Sequence, residues 1–170
     1  DQTPWHRFLD EVTEAGYEYI ELGPYGYLPT DPAVLRSELE HRGLRLTAAG
    51  LLSPLEDPSA WPDLKESALR AGDLVASLGG SFFLVVDGFI TGGVGRRADP
   101  KERLDESQWD RLIETTHKVA ELAHDRLGLQ LVFHPCADTH VQFEDQVEVF
   151  LAETDPERVC LCLDTGHHAY

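Results

Sequence analysis

Residues 109–134 read WDRLIETTHKVAELAHDRLGLQLVFH, a helical pattern that stops at Gly128 and passes into an apolar run ending on His134. In the first part, apolar residues recur every three or four positions, which is the spacing of one buried helix face. Glycine stops a helix because it enters the left-handed region of backbone conformation without steric cost. The stretch therefore predicts a helix over about 106–127 and a strand over 129–134.

The same succession of helix and strand recurs along the chain. Strands are predicted over 17–22, 44–49, 81–86, 129–134 and 159–164. Helix starts are marked by Thr3-Pro4 and Asp31-Pro32, where a capping oxygen precedes a proline, and by the capping-box pattern of Asp105 with Gln108. Strands that alternate with helices predict βαβ crossovers and a parallel sheet.

The predicted strands begin about 35 residues apart on average. Eight such units need about 280 residues, in the size range of a (β/α)8 barrel, whereas this chain has 170 residues. Two architectures therefore stay open: an open doubly wound sheet, or most of a barrel whose first strand and last two or three strands lie outside the chain. Because the chain contains no methionine, we expect it to be a piece of a longer translation product.

Charge and composition disfavour several classes of function. Fourteen Lys and Arg face 31 Asp and Glu, a formal charge of −17, which repels a nucleic-acid backbone and an anionic membrane surface. No apolar run approaches the roughly 18 to 20 residues of a membrane span. Three cysteines, Cys136, Cys160 and Cys162, are too few for a disulfide framework. We expect a soluble, cytoplasmic protein with no nucleic-acid and no membrane partner.

Ionisable side chains end four of the predicted strands, where parallel α/β folds carry their active sites. They are Glu21, Asp87, His134 and Asp164. Asp164 and His134 supply a carboxylate and an imidazole, which form a reasonable half of a divalent-metal site, and His167 follows three residues after Asp164. The alternative roles are a turn or helix cap for Asp164 and a backbone hydrogen bond for His134.

Alternation of side chains along a strand predicts which of them face inward. Inward positions are Val132, His134, Cys160, Cys162 and Asp164, with the two cysteines as core filler. Outward positions, packed on helices, are Leu131, Phe133, Val159, Leu161 and Leu163. The glycine-rich segment 92–97 is predicted to form a lid, with phosphate binding as the alternative.

Three segments resemble the sugar phosphate isomerase/epimerase superfamily of xylose-isomerase-like barrels, and most closely its inosose dehydratase branch. They are IELGPYGYLP at 20–29, HPCADTHV at 134–141, and the run from ETDP at 153–156 to LDTGH at 163–167. The resemblance implies a single domain over 1–170, a parallel (β/α)8 TIM barrel of which the chain carries about strands 2–6 and helices 1–5.

The resemblance also implies a metal site for manganese, cobalt or magnesium. By motif match, Asp164 takes the ligand position of the sixth barrel strand and His134 that of the fifth, where many members carry Glu. His167 matches a substrate-binding histidine, a role that His134 shares, and His140 and Glu21 are the candidates for catalytic acid or base. The last two metal ligands are expected beyond residue 170.

One further departure from the superfamily is Cys136, at a position that is commonly His in the dehydratase branch. The implied function is a divalent-metal-dependent sugar (phosphate) isomerase or epimerase, acting through an enediolate on a ketose, an aldose or a cyclitol ketone. The alternatives are an inosose dehydratase-type lyase and a non-catalytic barrel subunit that needs a partner. A related branch of apurinic endonucleases is disfavoured by the charge of −17.

The implied partner is a small-molecule sugar or cyclitol. A homo-oligomer stays an option. Candidate subunit contacts, predicted to be exposed, are Trp5, Trp61 and Tyr170.

Overall fold

The computed structural model describes residues 2–90 and 103–169, without the side chain of His168. Its strands are β1 (Tyr19–Glu21), β2 (Arg45–Ser53), β3 (Phe82–Asp87), β4 (Gln130–Phe133) and β5 (Val159–Leu161). Its helices are α1 (Trp5–Glu14), α2 (Pro32–Arg42), α3 (Trp61–Ser77), α4 (Glu106–Glu121), α5 (Glu144–Glu153) and α6 (Thr165–Ala169). A π-helical turn, Leu122–Leu127, continues α4. Each predicted strand is present, and helices alternate with strands as predicted.

The five strands form one parallel sheet in the order β1-β2-β3-β4-β5. The length of a strand is set by how far it pairs with its neighbouring strands, and not only by the length of its apolar sequence. β2 continues to Ser53 because that residue still pairs with Asp87 of β3. β5 stops at Leu161 because its last partner is Phe133, the end of β4. All the carboxyl ends therefore meet at one edge of the sheet.

The hydrophobic core lies between the sheet and the helices that cover its outer face. Leu131 and Phe133 of β4 are fully buried in it, which confirms their predicted outward direction. Phe133 packs on Phe150 of α5 with ring centroids 4.0 Å apart. Full burial of a side chain of this size favours folding by about 1.5 to 3 kcal/mol, so this contact fixes which face of β4 turns to the helices.

The inner face of the sheet is less covered within the described residues. Cys160 is exposed and Cys162 is half-buried, so the prediction that both are core filler is wrong for Cys160. Leu163 is 59% exposed, which makes its predicted packing on helices wrong as well. The physical reason for Leu163 is that β5 ends at Leu161, so strict alternation no longer governs the residues that follow. Cys160 lies on the inner face, which the described residues leave less covered.

The helix ends show which capping predictions are correct. Asp31 accepts hydrogen bonds from the backbone N–H groups of Ala33 and Val34, at 2.8 and 3.1 Å, and the Asp105–Gln108 capping box is complete. The Thr3 cap is wrong: Pro4 holds the N-cap position of α1 and no side chain caps that helix. Left-handed glycines end the helical segments as predicted, at Gly16, Gly43, Gly79 and Gly128.

Two aromatic residues expected to be exposed are not. Trp5 and Trp61 are half-buried and pack against the core, because each opens a helix whose apolar face turns inward. Tyr170 and the predicted lid at 92–97 lie outside the described residues. None of the helices within residues 2–90 and 103–169 combines the length and apolar character that crossing a bilayer requires.

Replacing the Asp31 cap tests this description of the helix starts. We expect Asp31→Ala to lower the free energy of unfolding by about 1 kcal/mol, because two N–H groups of α2 lose their acceptor. Thr3→Ala is the matched control and should change it by less than about 0.5 kcal/mol. Urea unfolding followed by circular dichroism measures both. Equal losses in the two variants would contradict the assigned caps.

Candidate functional site

A cavity of about 450 Å³ opens at the carboxyl ends of the strands. Its polar lining comes from the end of β1, the residue after β4, the loop after β5 and the first residue of α6. The polar side chains are those of Glu21, His134, Cys162, Asp164 and Thr165. The structure thus brings together three of the side chains predicted for the site, Glu21, His134 and Asp164. The apolar wall is made by Leu84 and Val86 of β3 and by Leu163.

β4 directs His134 into this cavity. Phe133 and Leu131, which precede it by one and three residues, face the helices. Because side chains alternate along a strand, His134 points to the opposite side. Its Nδ1 atom is buried and has no hydrogen-bond partner among the described residues. Burial lowers the pKa of His134, and the neighbouring His167 lowers it further. The imidazole is therefore neutral at neutral pH, which is the form that binds a metal ion.

Asp164 plays the cap role and also faces the cavity. Its Oδ1 accepts a hydrogen bond from the backbone N–H of Gly166 at 2.7 Å, at the start of α6. That hydrogen bond lowers the pKa of the Asp164 carboxyl. The other oxygen, Oδ2, lies 3.8 Å from Nε2 of His167. One carboxylate thus orders the turn with one oxygen and meets the predicted substrate-binding histidine with the other.

Cys136 is a site residue that the sequence indicated only as a departure from the superfamily. It is buried, and its Sγ lies 3.4 Å from Nε2 and 3.7 Å from Nδ1 of His167. The rings of His134 and His167 meet edge to face with centroids 5.2 Å apart. One ligand atom from each of His134, Cys136 and His167 lies within 4.8 Å of the others. The signal available in the sequence was its position two residues after the predicted ligand His134.

His140 lies elsewhere. Its Nδ1 is 2.8 Å from Oδ2 of Asp87 and 3.9 Å from Oε2 of Glu56. Asp87 is fully buried, and because Val86 lines the cavity, alternation turns Asp87 to the helix-facing side. The structure does not bring His140 together with His134, Asp164 or Glu21 in the cavity, and its role as acid or base stays a prediction.

Charge is concentrated in this second cluster of Glu56, Asp87 and His140. Burial alone lowers the pKa of His140, but the hydrogen bond to Asp87 and the two carboxylate charges outweigh it, so the pKa is raised. Burial raises the pKa of Glu56, and the charge of Asp87 raises it further. Oε2 of Glu56 is buried without a hydrogen-bond partner among the described residues.

The cluster joins the loops that follow three strands. Asp87 also accepts from the backbone N–H groups of Leu55, at 3.2 Å, and of His140, at 3.3 Å. Gly88 approaches Pro54 so closely that a Cβ atom on residue 88 would lie 2.9 Å from the Cα atom of Pro54. The loops after β2, β3 and β4 are therefore tied together beside the cavity.

The chain is similar in sequence to two curated inosose dehydratases. Inosose dehydratase of Lacticaseibacillus casei is 26% identical over 169 residues, which cover 98% of this chain and 55% of that protein. Inosose dehydratase of Bacillus licheniformis is 31% identical over 160 residues, covering 94% of this chain and 52% of that protein. The chain thus spans about half the length of the curated relatives it matches.

Solved structures show the fold. D-allulose 3-epimerase from Methylomonas sp. superposes with a TM-score of 0.74 at 20% identity, over 99% of this chain and 60% of that one. A xylose isomerase-like TIM barrel protein from Mycobacterium smegmatis, solved with magnesium, superposes with a TM-score of 0.72 at 21% identity, over 96% of this chain and 57% of that one. The predicted TIM-barrel fold is confirmed, and the parallel sheet is part of such a barrel.

The sequence profile described as xylose isomerase-like TIM barrel matches residues 9–170. With the parallel sheet and the cavity at its carboxyl edge, that match over nearly the whole chain decides the family. This chain belongs to the xylose isomerase-like TIM barrel family.

Proposed function

We propose that the chain supplies part of the active site of a divalent-metal-dependent enzyme that removes a proton beside the carbonyl of a sugar or cyclitol ketone. The observation that carries the proposal is the convergence of Glu21, His134 and Asp164 on one cavity at the carboxyl ends of the strands, with His167 against Asp164. Active sites of TIM barrels occupy this edge. The rest of the site would come from outside the chain, which spans about half of its relatives.

The side chains present fit a divalent cation. His134 offers a neutral imidazole whose buried Nδ1 lacks a hydrogen-bond partner among the described residues, and Asp164 offers a carboxylate. Imidazole and carboxylate together suit manganese and cobalt better than magnesium, which prefers oxygen ligands and water. When bound, such a cation acts as a Lewis acid that stabilises negative charge on the substrate oxygens.

The other side chains move protons and orient the substrate. Glu21 is the candidate acid or base, since its carboxylate lines the cavity next to His134. His167, held beside Asp164, orients a substrate hydroxyl or carbonyl through a hydrogen bond. The fate of the proton determines the reaction. If the proton returns to the neighbouring carbon, the substrate is isomerised, and if it returns to the opposite face of the same carbon, the substrate is epimerised. If a proton is given to a leaving hydroxyl group, the substrate is dehydrated.

Dehydration of an inosose is the favoured reaction within this class. The curated relatives at 26% and 31% identity are both inosose dehydratases, whereas the solved epimerases share only about 20% identity. Sugar epimerisation or isomerisation is the second candidate, because the same cavity suits a ketose. The two reactions are separated by incubating the natural protein with an inosose and with ketohexoses and analysing the products by mass spectrometry. A product that has lost water identifies a dehydratase. A new sugar of unchanged mass identifies an epimerase or isomerase.

Because His140 lies outside the cavity, we propose that it positions loops instead of acting as the predicted acid or base. Its hydrogen bond to Asp87 and its nearness to Glu56 hold the loops after β2, β3 and β4 in place. It acts on the reaction only through the shape of the cavity.

Substitution of the two cavity ligands tests the proposed site. We expect His134→Ala and Asp164→Asn each to lower metal-dependent turnover by more than about 100-fold, since even outer partners of a metal site account for 10- to 100-fold. The matched controls are His124→Ala and Asp125→Asn, an exposed pair on the π-helical turn, which should keep near-normal turnover. Full activity in both ligand variants would remove the proposal.

The charge cluster makes a second prediction, on pH. The raised pKa of His140 means that its contribution to stability is fully present below its ordinary value of 6.5 and is lost as pH rises through the raised value. Asp87→Asn removes the hydrogen-bonded charge and leaves burial, so the pKa of His140 should fall. Histidine NMR titration measures the shift in both proteins. An unchanged or increased pKa in Asp87→Asn would contradict the assigned pairing.

A further inference from the structure

We propose that His134, Cys136 and His167 bind a divalent cation of the zinc class through two imidazoles and one thiolate. The inference rests on the divalent-metal site proposed above and specifies the chemical class of its cation. It adds Cys136 and His167 to the ligands expected from the sequence, so that His167 would bind the ion instead of orienting the substrate.

The distance between Sγ of Cys136 and Nε2 of His167 is that of two ligands of one ion. With zinc–sulfur near 2.3 Å and zinc–nitrogen near 2.0–2.1 Å, a tetrahedral ion separates its sulfur and nitrogen ligands by about 3.5 Å. Sγ of Cys136 lies 3.4 Å from Nε2 and 3.7 Å from Nδ1 of His167. A ligand atom of His134 completes a group within 4.8 Å.

Asp164 lies on the same side of His167. Its Oδ2 is 3.8 Å from Nε2 of His167, the nitrogen that also meets the sulfur of Cys136. A carboxylate oxygen therefore lies beside the proposed ligand group, and His134 belongs both to this group and to the cavity of the proposed sugar site.

The protein holds the cysteine in place. The backbone N–H and the hydroxyl of Thr139 both donate to the carbonyl oxygen of Cys136, at 3.3 and 2.8 Å. The next turn is fixed by a hydrogen bond from the N–H of Asp138 to Gln142 at 3.1 Å. Cys136 itself is only 6% exposed, so its sulfur has little freedom to turn away from His167.

The second cluster of ionisable side chains lacks this geometry. Nδ1 of His140 and Oδ2 of Asp87 are 2.8 Å apart, which is a hydrogen-bond distance and shorter than the roughly 3.3 Å expected for nitrogen and oxygen ligands of one ion. Those two groups bind each other. Among the described residues, the thiolate-containing group has the better spacing for a cation.

A thiolate ligand changes which ions the site selects. Sulfur donors favour zinc and cobalt, whereas magnesium and manganese prefer oxygen. We therefore expect the natural protein to bind zinc and cobalt more tightly than it binds manganese or magnesium.

Cobalt titration of the purified natural protein tests the inference without relying on activity. We expect a near-ultraviolet thiolate-to-cobalt charge-transfer band that appears with one equivalent and disappears in Cys136→Ser. The control Cys160→Ser, at an exposed cysteine of β5, should retain the band. Zinc affinity should fall by about 10-fold or more in Cys136→Ser, while manganese affinity changes much less. Circular dichroism checks that each variant folds.

The outcomes separate this inference from the proposed function. Cobalt binding without a thiolate band, or a band that survives in Cys136→Ser and vanishes in Cys162→Ser, overturns the assignment of Cys136 and leaves the divalent-metal enzyme standing. Absence of any cobalt, zinc or manganese binding overturns both.

Discussion

Phe133 packs on Phe150 with ring centroids 4.0 Å apart, and the arrangement of the site depends on this contact. A parallel strand has two faces, and a shift of one residue exchanges them. Because Leu131 and Phe133 are buried against the helices, His134 has to turn to the inner side. The apolar core thus determines the direction of the imidazole.

The same constraint separates two sets of charged groups at one edge of the sheet. Val86 faces the cavity and Asp87 faces the helices, so two consecutive residues of β3 lie in the two different environments. On the inner side, imidazole, thiol and carboxylate lie near each other, and Nδ1 of His134 has no hydrogen-bond partner in the part of the chain that the structure describes. On the outer side, Asp87 and His140 satisfy each other across 2.8 Å. Ligand-binding chemistry and loop positioning are therefore carried by different faces of the same strands.

Short sequence patterns correctly predicted most of the helix ends and caps, because these depend on local interactions. The glycine ends of helices, the Asp31 cap and the capping box at Asp105 depend on neighbours within a few residues, and all are present. The Thr3 cap failed because Pro4 holds the N-cap position itself.

Within the site, alternation predicted the direction of His134, because β4 is regular up to that point. It could not place His140, since six residues of loop intervene and Asp138 adopts a left-handed backbone conformation there, with φ of +68°. An antiparallel bridge between Phe89 and Thr139 further fixes that loop against the one after β3. Such a contact joins segments about 50 residues apart, and a motif within either segment carries no information about it.

Cys136 is the feature that distinguishes this chain chemically. Family membership gives the fold, whereas the sulfur of Cys136 beside two imidazoles is a feature of this sequence. A softer donor set holds a borderline cation more firmly. The thiolate of Cys136 would also replace the negative charge that is lost where His134 stands in the place of the Glu of many superfamily members.

The most direct test of the central claim, that the inner face of the sheet carries the metal site, is anomalous diffraction from crystals of the natural protein grown with zinc. The account predicts one strong peak within bonding distance of His134 and His167, beside Cys136 and Asp164. A peak at Asp87 and His140, or none near His134, would contradict it.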